Sequence, residues 1–218
     1  MKDVLLALVV AVGACSASPD EALVDLKLFG QTYRTAAEWQ ARAATLRDGI
    51  LRQADLAPLP SRTPLHAVIH SRREYADYSV ENVFFESLPG LYVTGNLYRP
   101  VGRGAGPFPA VLNPHGHFEE DGWFPRTRPD MQRRCVTLAR MGAVAFAWDM
   151  LGFGEATQVG HFDPNVMTLQ VWNGIRAVDF VVSLPDVDPT RIAATGASGG
   201  GSQTILLAAL DPRIAARA

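Results

Sequence analysis

The sequence predicts an α/β fold built on a doubly wound, mostly parallel sheet. Three observations carry that expectation. Short apolar runs at Pro109–Asn113, Ala143–Asp149 and Arg191–Thr195 have the length and composition of strands buried on both faces. Segments of helical period follow or separate them at 131–141, 165–184 and 199–210. Turn-forming residues close the strands: Pro114-His115-Gly116-His117, Gly152-Phe153-Gly154 and Gly196-Ala197-Ser198-Gly199-Gly200. Strands alternating with helices in this way define a parallel sheet covered by helices.

The first 17 residues stand apart from that fold. Met1-Lys2-Asp3 precedes the apolar run Val4–Val12, and the small residues Gly13-Ala14 precede Cys15 and a Ser/Ala/Pro stretch. That order is the order of a secretory signal. The run is shorter than the roughly 20 apolar residues a membrane-spanning helix needs, so no span is expected. Val12-Gly13-Ala14-Cys15 also resembles a bacterial lipobox, which makes Cys15 a possible lipid anchor; cleavage near Ala17 is the alternative. Either outcome implies export.

Residues 18–76 form a lead-in. No sustained periodicity runs through 18–34, which reads as a tether. Thr35-Ala36-Ala37-Glu38 is a capping box, and Trp39, Ala43, Leu46 and Ile50 follow at helical spacing on one face. The prolines between Ala57 and Pro64 end that helix and lead to a strand-like stretch. The main domain is expected over 77–218. It opens with alternating residues from Tyr78 to Phe85 and from Leu91 to Tyr98 around Leu88-Pro89-Gly90, a β-hairpin.

Composition excludes several classes of function. The 218 residues are 48% hydrophobic and 19% charged, enough for a packed core. Twenty basic and 22 acidic side chains leave a net charge of −2, which gives nucleic acid no electrostatic reason to bind. Two cysteines, Cys15 and Cys135, rule out a disulfide scaffold, and Cys135 is expected as a buried thiol on a helix. The arginines Arg126, Arg128, Arg133 and Arg134 could recognise an acidic group such as a uronate, or form a solvated surface with local ion pairs.

The chemistry gathers at two strand ends. Gly196-Ala197-Ser198-Gly199-Gly200 is a G-x-S-x-G motif directly after a strand and directly before a helix, the context in which its serine becomes a nucleophile. Small residues are required where the chain nearly touches itself, and Gly199 offers its N–H to a developing oxyanion. The plainer reading is a glycine-rich turn with a serine N-cap. His115-Gly116-His117, after the earlier strand, suits the loop that gives a second oxyanion donor: His117 through its N–H, with His115 and Gly116 shaping the turn. A metal site using the two histidines with Glu119, Glu120 and Asp121 is the rival, weakened by the lack of a further His or Cys at ligand spacing.

Together, Pro109–His117, Trp148-Asp149-Met150-Leu151-Gly152-Phe153-Gly154 and Thr195–Gly201 resemble the α/β-hydrolase superfamily, in particular exported bacterial acetylxylan-esterase-like and dienelactone-hydrolase-like members. The resemblance runs from about Tyr78 onward. It implies a serine ester hydrolase without a cofactor, acting on a small-molecule or carbohydrate ester, with a structural role for Asp149 bonded to nearby backbone. It also implies an acid and a histidine after the serine. All five histidines, His66, His70, His115, His117 and His161, precede Ser198, and Asp211 reads as a helix-end residue. The expectation is therefore an N-terminal part of the fold, inactive alone, with Ile192-Ala193-Ala194 left as an unpaired, aggregation-prone edge. A peptidase of the same fold and a non-catalytic relic are the alternatives.

Overall fold

The computed structural model describes residues 18–118 and 124–218. Two compact units divide between Thr45 and Leu46. In the first, α1 spans Pro19–Gln31, where periodicity alone predicts a tether. Its signal is the cap: Ser18 accepts the Glu21 N–H at 3.2 Å while the Glu21 carboxylate accepts the Ser18 N–H at 2.7 Å. None of its side chains is buried, so no core-facing stripe marks it in the sequence. The expected box at Thr35 and Glu38 opens α2 (Ala36–Gln53), with reciprocal bonds of 3.1 and 3.2 Å. The predicted apolar face of α2 is only partly covered: Trp39 and Leu46 are exposed.

The second unit is built on a seven-stranded sheet of order β1-β2-β3-β5-β4-β6-β7. Its strands are β1 (Val68–Glu74), β2 (Tyr78–Leu88), β3 (Leu91–Pro100), β4 (Phe108–Leu112), β5 (Val144–Trp148), β6 (Val187–Ala194) and β7 (Ile214–Arg217). Strands β5, β4, β6 and β7 are mutually parallel, and the antiparallel β1-β2-β3 meander extends the sheet beside β5. The sheet thus begins at Val68, within the stretch that the sequence assigns to the lead-in.

Helices α3 (Pro129–Arg140), α4 (Val166–Val182) and α5 (Gly199–Leu210) cover the sheet. The two faces are legible in β5, all of whose residues are buried. Ala145 and Ala147 join Met131, Cys135 and Ala139 of α3, while Val144, Phe146 and Trp148 join the core under α4 and α5. Small residues on one side and aromatic residues on the other, at a period of two, therefore set the spacing of each layer. Phe85 of β2 anchors the larger core, stacked on Phe180 at 5.1 Å and fully buried. Cys135 is the buried helical thiol expected, and burial pushes its pKa up to about 12.

The expectation of an unpaired edge at Ile192–Ala194 is corrected. Strand β7 pairs in parallel with β6, Ile192 opposite Ile214 and Ala194 opposite Arg217, and Ala218 N–H reaches Ala194 O at 3.2 Å. Asp211 makes the return possible at the end of α5: it accepts the Arg213 N–H at 3.0 Å and the Arg213 guanidinium at 2.5 and 2.8 Å. Four residues, three of them without a strong strand preference, hid β7 from sequence reasoning. Phe85→Ala is expected to lower stability by about 3–5 kcal/mol, read from urea unfolding, because the Phe180 and Phe146 rings cannot close on the space it leaves.

Candidate active site

The carboxyl ends of β5, β4 and β6 lie side by side, where ligands bind in open α/β sheets. Each end carries one of the predicted segments. After β6 the chain turns through Gly196-Ala197-Ser198 into α5, and Ser198 sits at φ +56°, ψ −125°, exposed at the turn. For a residue with a side chain that backbone is strained, and it is held by its surroundings. A Cβ on Gly196 would meet Gly200 O at 2.4 Å, and a Cβ on Gly200 would meet Pro114 O at 2.2 Å. Both glycines are required because backbone passes directly over backbone.

The His115-Gly116-His117 loop after β4 lies against this turn. A Cβ on Gly116 would fall 2.9 Å from Ala197 O, and one on Gly199 would fall 2.6–2.7 Å from the His117 ring. The structure therefore brings together Ser198, Gly199, Gly196, Gly200, His115, Gly116 and His117. His115 is buried, its Nδ1 at 2.9 Å from Gly116 O and its Nε2 accepting the Met150 N–H at 2.9 Å. Only a neutral ring protonated on Nδ1 satisfies both partners. Burial pushes its pKa down to about 4, outweighing the Gly116 hydrogen bond.

Two further groups complete the surroundings, and the first was missed by sequence reasoning. His161 places Nε2 at 2.7 Å from His117 Nε2, while its Nδ1 is 3.0 Å from Leu151 O. A carbonyl only accepts, so His161 carries a proton on Nδ1, and one further proton lies in the Nε2–Nε2 hydrogen bond with His117. Phe153 packs against His115, His117 and His161 at 4.9–6.1 Å. The second group is a buried charge cluster. Asp149 Oδ2 accepts from Thr94 Oγ1 at 2.8 Å, Arg126 Nη1 at 3.0 Å and the Glu155 N–H at 3.1 Å, and Arg126 also reaches Glu155 at 2.5 Å. Burial raises the Asp149 pKa, against the opposing pull of Arg126. Asp149 is structural, as the resemblance implies, whereas Arg126 is neither solvated nor available to an acidic ligand.

Glu119, Glu120 and Asp121 of the rival metal reading lie outside the described residues, as do the N-terminal segment and Cys15. Among the described residues no group of three or more metal-ligating side chains occurs, and no helix is long and apolar enough to cross a membrane.

A mixed sheet, parallel over β5-β4-β6-β7, with a strained serine between β6 and the next helix faced by a His-Gly loop, defines a partial α/β-hydrolase fold. The sequence profile of the acetyl xylan esterase (AXE1) family matches residues 67–218, and the chain belongs to that family. Among solved structures it is similar to Methylesterase BT1017, with 36% identity and a TM-score of 0.77 over 88% of this chain and 43% of that one. It is also similar to an acetyl xylan esterase from Paenibacillus sp. R4, with 25% identity and a TM-score of 0.59, covering 79% of this chain and 57% of that one. Polyketide transferase claH of Penicillium crustosum is 30% identical over 134 residues, which are 61% of this chain and 41% of the relative. The chain thus spans about two fifths of the length of that transferase and of the methylesterase.

Two outcomes test this geometry. Gly200→Ala is expected to cost about 2 kcal/mol or more, since Pro114 O cannot yield, whereas Gly201→Ala, whose nearest neighbour would be at 3.3 Å, should stay within about 1 kcal/mol of the parent. Because His115 is held neutral, the fold binds fewer protons there than the unfolded chain. The stabilisation from His115 is complete above pH 6.5 and is lost as pH falls toward 4, by roughly 3 kcal/mol. Urea midpoints measured across that window should fall less steeply in His115→Asn than in the parent.

Proposed function

We propose that the chain carries the nucleophile of an exported serine esterase acting on acetylated carbohydrate. Ser198 Oγ attacks the ester carbonyl carbon, and its proton passes to a general base. The N–H groups of Gly199 and His117 hold the oxyanion; the alcohol then leaves, and water releases the acid from the acyl-enzyme. The single observation that carries this reading is Ser198 at φ +56° on a turn pressed against the His-Gly loop. Such strain persists only where the surroundings impose it.

The base is proposed to lie outside these 218 residues. His115 and His161 have both ring nitrogens engaged, and His117 is committed to His161 through Nε2. His66 and His70 belong to the β1 side of the sheet, and β1 is five places from β6. The greater length of the relatives is consistent with this placement. Membership of the acetyl xylan esterase family and similarity to a methylesterase favour a carbohydrate ester as substrate. Export, with Cys15 as a possible lipid anchor, rests on the apolar run Val4–Val12 and the small residues after it.

The test is labelling by a fluorophosphonate probe in the protein expressed to its natural stop codon. One adduct on Ser198 is expected. Ser198→Ala should lose both the adduct and acetyl-ester hydrolysis while keeping the parent's unfolding midpoint, because the substitution removes one oxygen from an exposed position. Undiminished hydrolysis by Ser198→Ala would exclude the serine as nucleophile.

A further inference from the structure

The β1-β2-β3 meander carries a cavity of about 380 Å³ that the chemistry at Ser198 does not use. It opens on the face of β2 opposite the main core. Residues 79, 81, 83, 85 and 87 of that strand are buried, whereas Asn82 is exposed and Phe84 half-buried. Register places His70 beside Asn82, and Phe84 beside Thr94. Three rings line up across the strands: His70 and Phe84 at 6.2 Å, Phe84 and Tyr92 at 6.3 Å, each pair edge to face. Around them stand Asn82, Glu155 and Gln158.

This cavity lies at the same end of the sheet as the serine. Strand β3 runs antiparallel to β5 with Gly95 opposite Trp148, so Leu91–Thr94 extend past the carboxyl end of β5. The buried cluster ties the cavity wall to the loop after β5, since Asp149 binds both Thr94 and Arg126, and Arg126 binds Glu155; the adjoining Met150 N–H in turn binds His115 of the loop that faces Ser198. Strands are spaced about 4.8 Å apart, so β3 and β6, three steps apart in the sheet, are separated by about 14 Å. A single acetylated sugar cannot fill both places; an oligomer can.

We infer that the cavity formed by His70, Phe84 and Tyr92, with Asn82, Glu155 and Gln158, is a subsite for the uncharged glycan chain of the ester substrate. The inference rests on the esterase reading for the identity of the chain and deepens it. Ring edges and faces offer apolar contact to the C–H surfaces of a sugar, while the Asn82 amide N–H donates to its hydroxyls and the Glu155 carboxylate accepts from them. Charge selects the kind of chain. Among the described residues no arginine or lysine lines the cavity, Arg126 behind Glu155 is already paired with Asp149 and Glu155, and Glu155 itself repels a carboxylate. A polyuronate is disfavoured on that ground and a xylan-like chain is favoured.

The test uses the protein expressed to its natural stop codon with Ser198→Ala, titrated calorimetrically with xylohexaose and, in parallel, with hexagalacturonate. Xylohexaose is expected to bind the more tightly. Tyr92→Ala should weaken that binding by about five- to tenfold, in line with loss of one stacking ring, and Tyr92→Phe should restore it. His70→Ala, on an exposed strand, is a second variant that should weaken binding even if Tyr92→Ala proves unstable. No xylohexaose binding, equal affinities in Tyr92→Ala, His70→Ala and the parent, or preference for hexagalacturonate would overturn the inference. Fluorophosphonate labelling of the same protein with Ser198 retained separates the two readings. Binding that depends on Tyr92 in a protein the probe does not label keeps the subsite and discards the esterase; labelling without such binding does the reverse.

Discussion

The arrangement of the site depends on the close approach of two backbones, at Gly200 and Pro114. A helix that began with any larger residue at Gly200 would stand away from the loop after β4, because the Pro114 carbonyl occupies the place of the missing Cβ. The same contact fixes the loop in the other direction, through Gly116 against Ala197 O. Ser198 is strained because both its flanks are pinned in this way. Its backbone angles are a consequence of packing between β4 and β6, which pair in parallel only four residues upstream, Leu112 beside Ala194.

The surrounding charges serve that arrangement. Asp149 terminates β5, and its carboxylate gathers a hydroxyl, a guanidinium and a backbone N–H from three separate segments. Taking a carboxylate out of water is costly, and the raised pKa reflects that cost; the Arg126 partner offsets it. What the cluster secures is the course of the loop after β5, which brings Met150 to His115 and His161 to His117. His115, kept neutral by burial, can accept the Met150 N–H, which a protonated ring could not.

How much of this could be read from the sequence follows from how local each signal is. Strands β4, β5 and β6 and the serine turn were legible because their residues are contiguous and the glycine spacing is itself a steric statement. The hairpin of β2 and β3 was legible from alternation, and the structure repeats that alternation as burial. The capping box of α1 was present in Ser18 and Glu21 but without an apolar stripe to support it. Arg126 read as surface because its partner, Asp149, lies 23 residues away, and His161 was silent because its partner lies 44 residues away. Strand β7 has little intrinsic preference and exists through its pairing with β6.

Gln158 illustrates how the loop after β5 answers to the meander. Its side-chain carbonyl accepts the Tyr92 N–H at 2.8 Å and its amide donates to Gly90 O at 2.8 Å, so one planar group reproduces a strand's pairing along the hairpin end. The hairpin therefore has a fixed length measured from outside itself. An inserted residue between Leu88 and Leu91 would shift those two backbone groups out of phase with a rigid amide. The displacement would pass along the chain from Gln158 to His161, three residues on, and so to the ring that rests on Gly199. Loop-length variation, ordinarily the most tolerated change on a protein surface, is here coupled to the geometry of a distant turn.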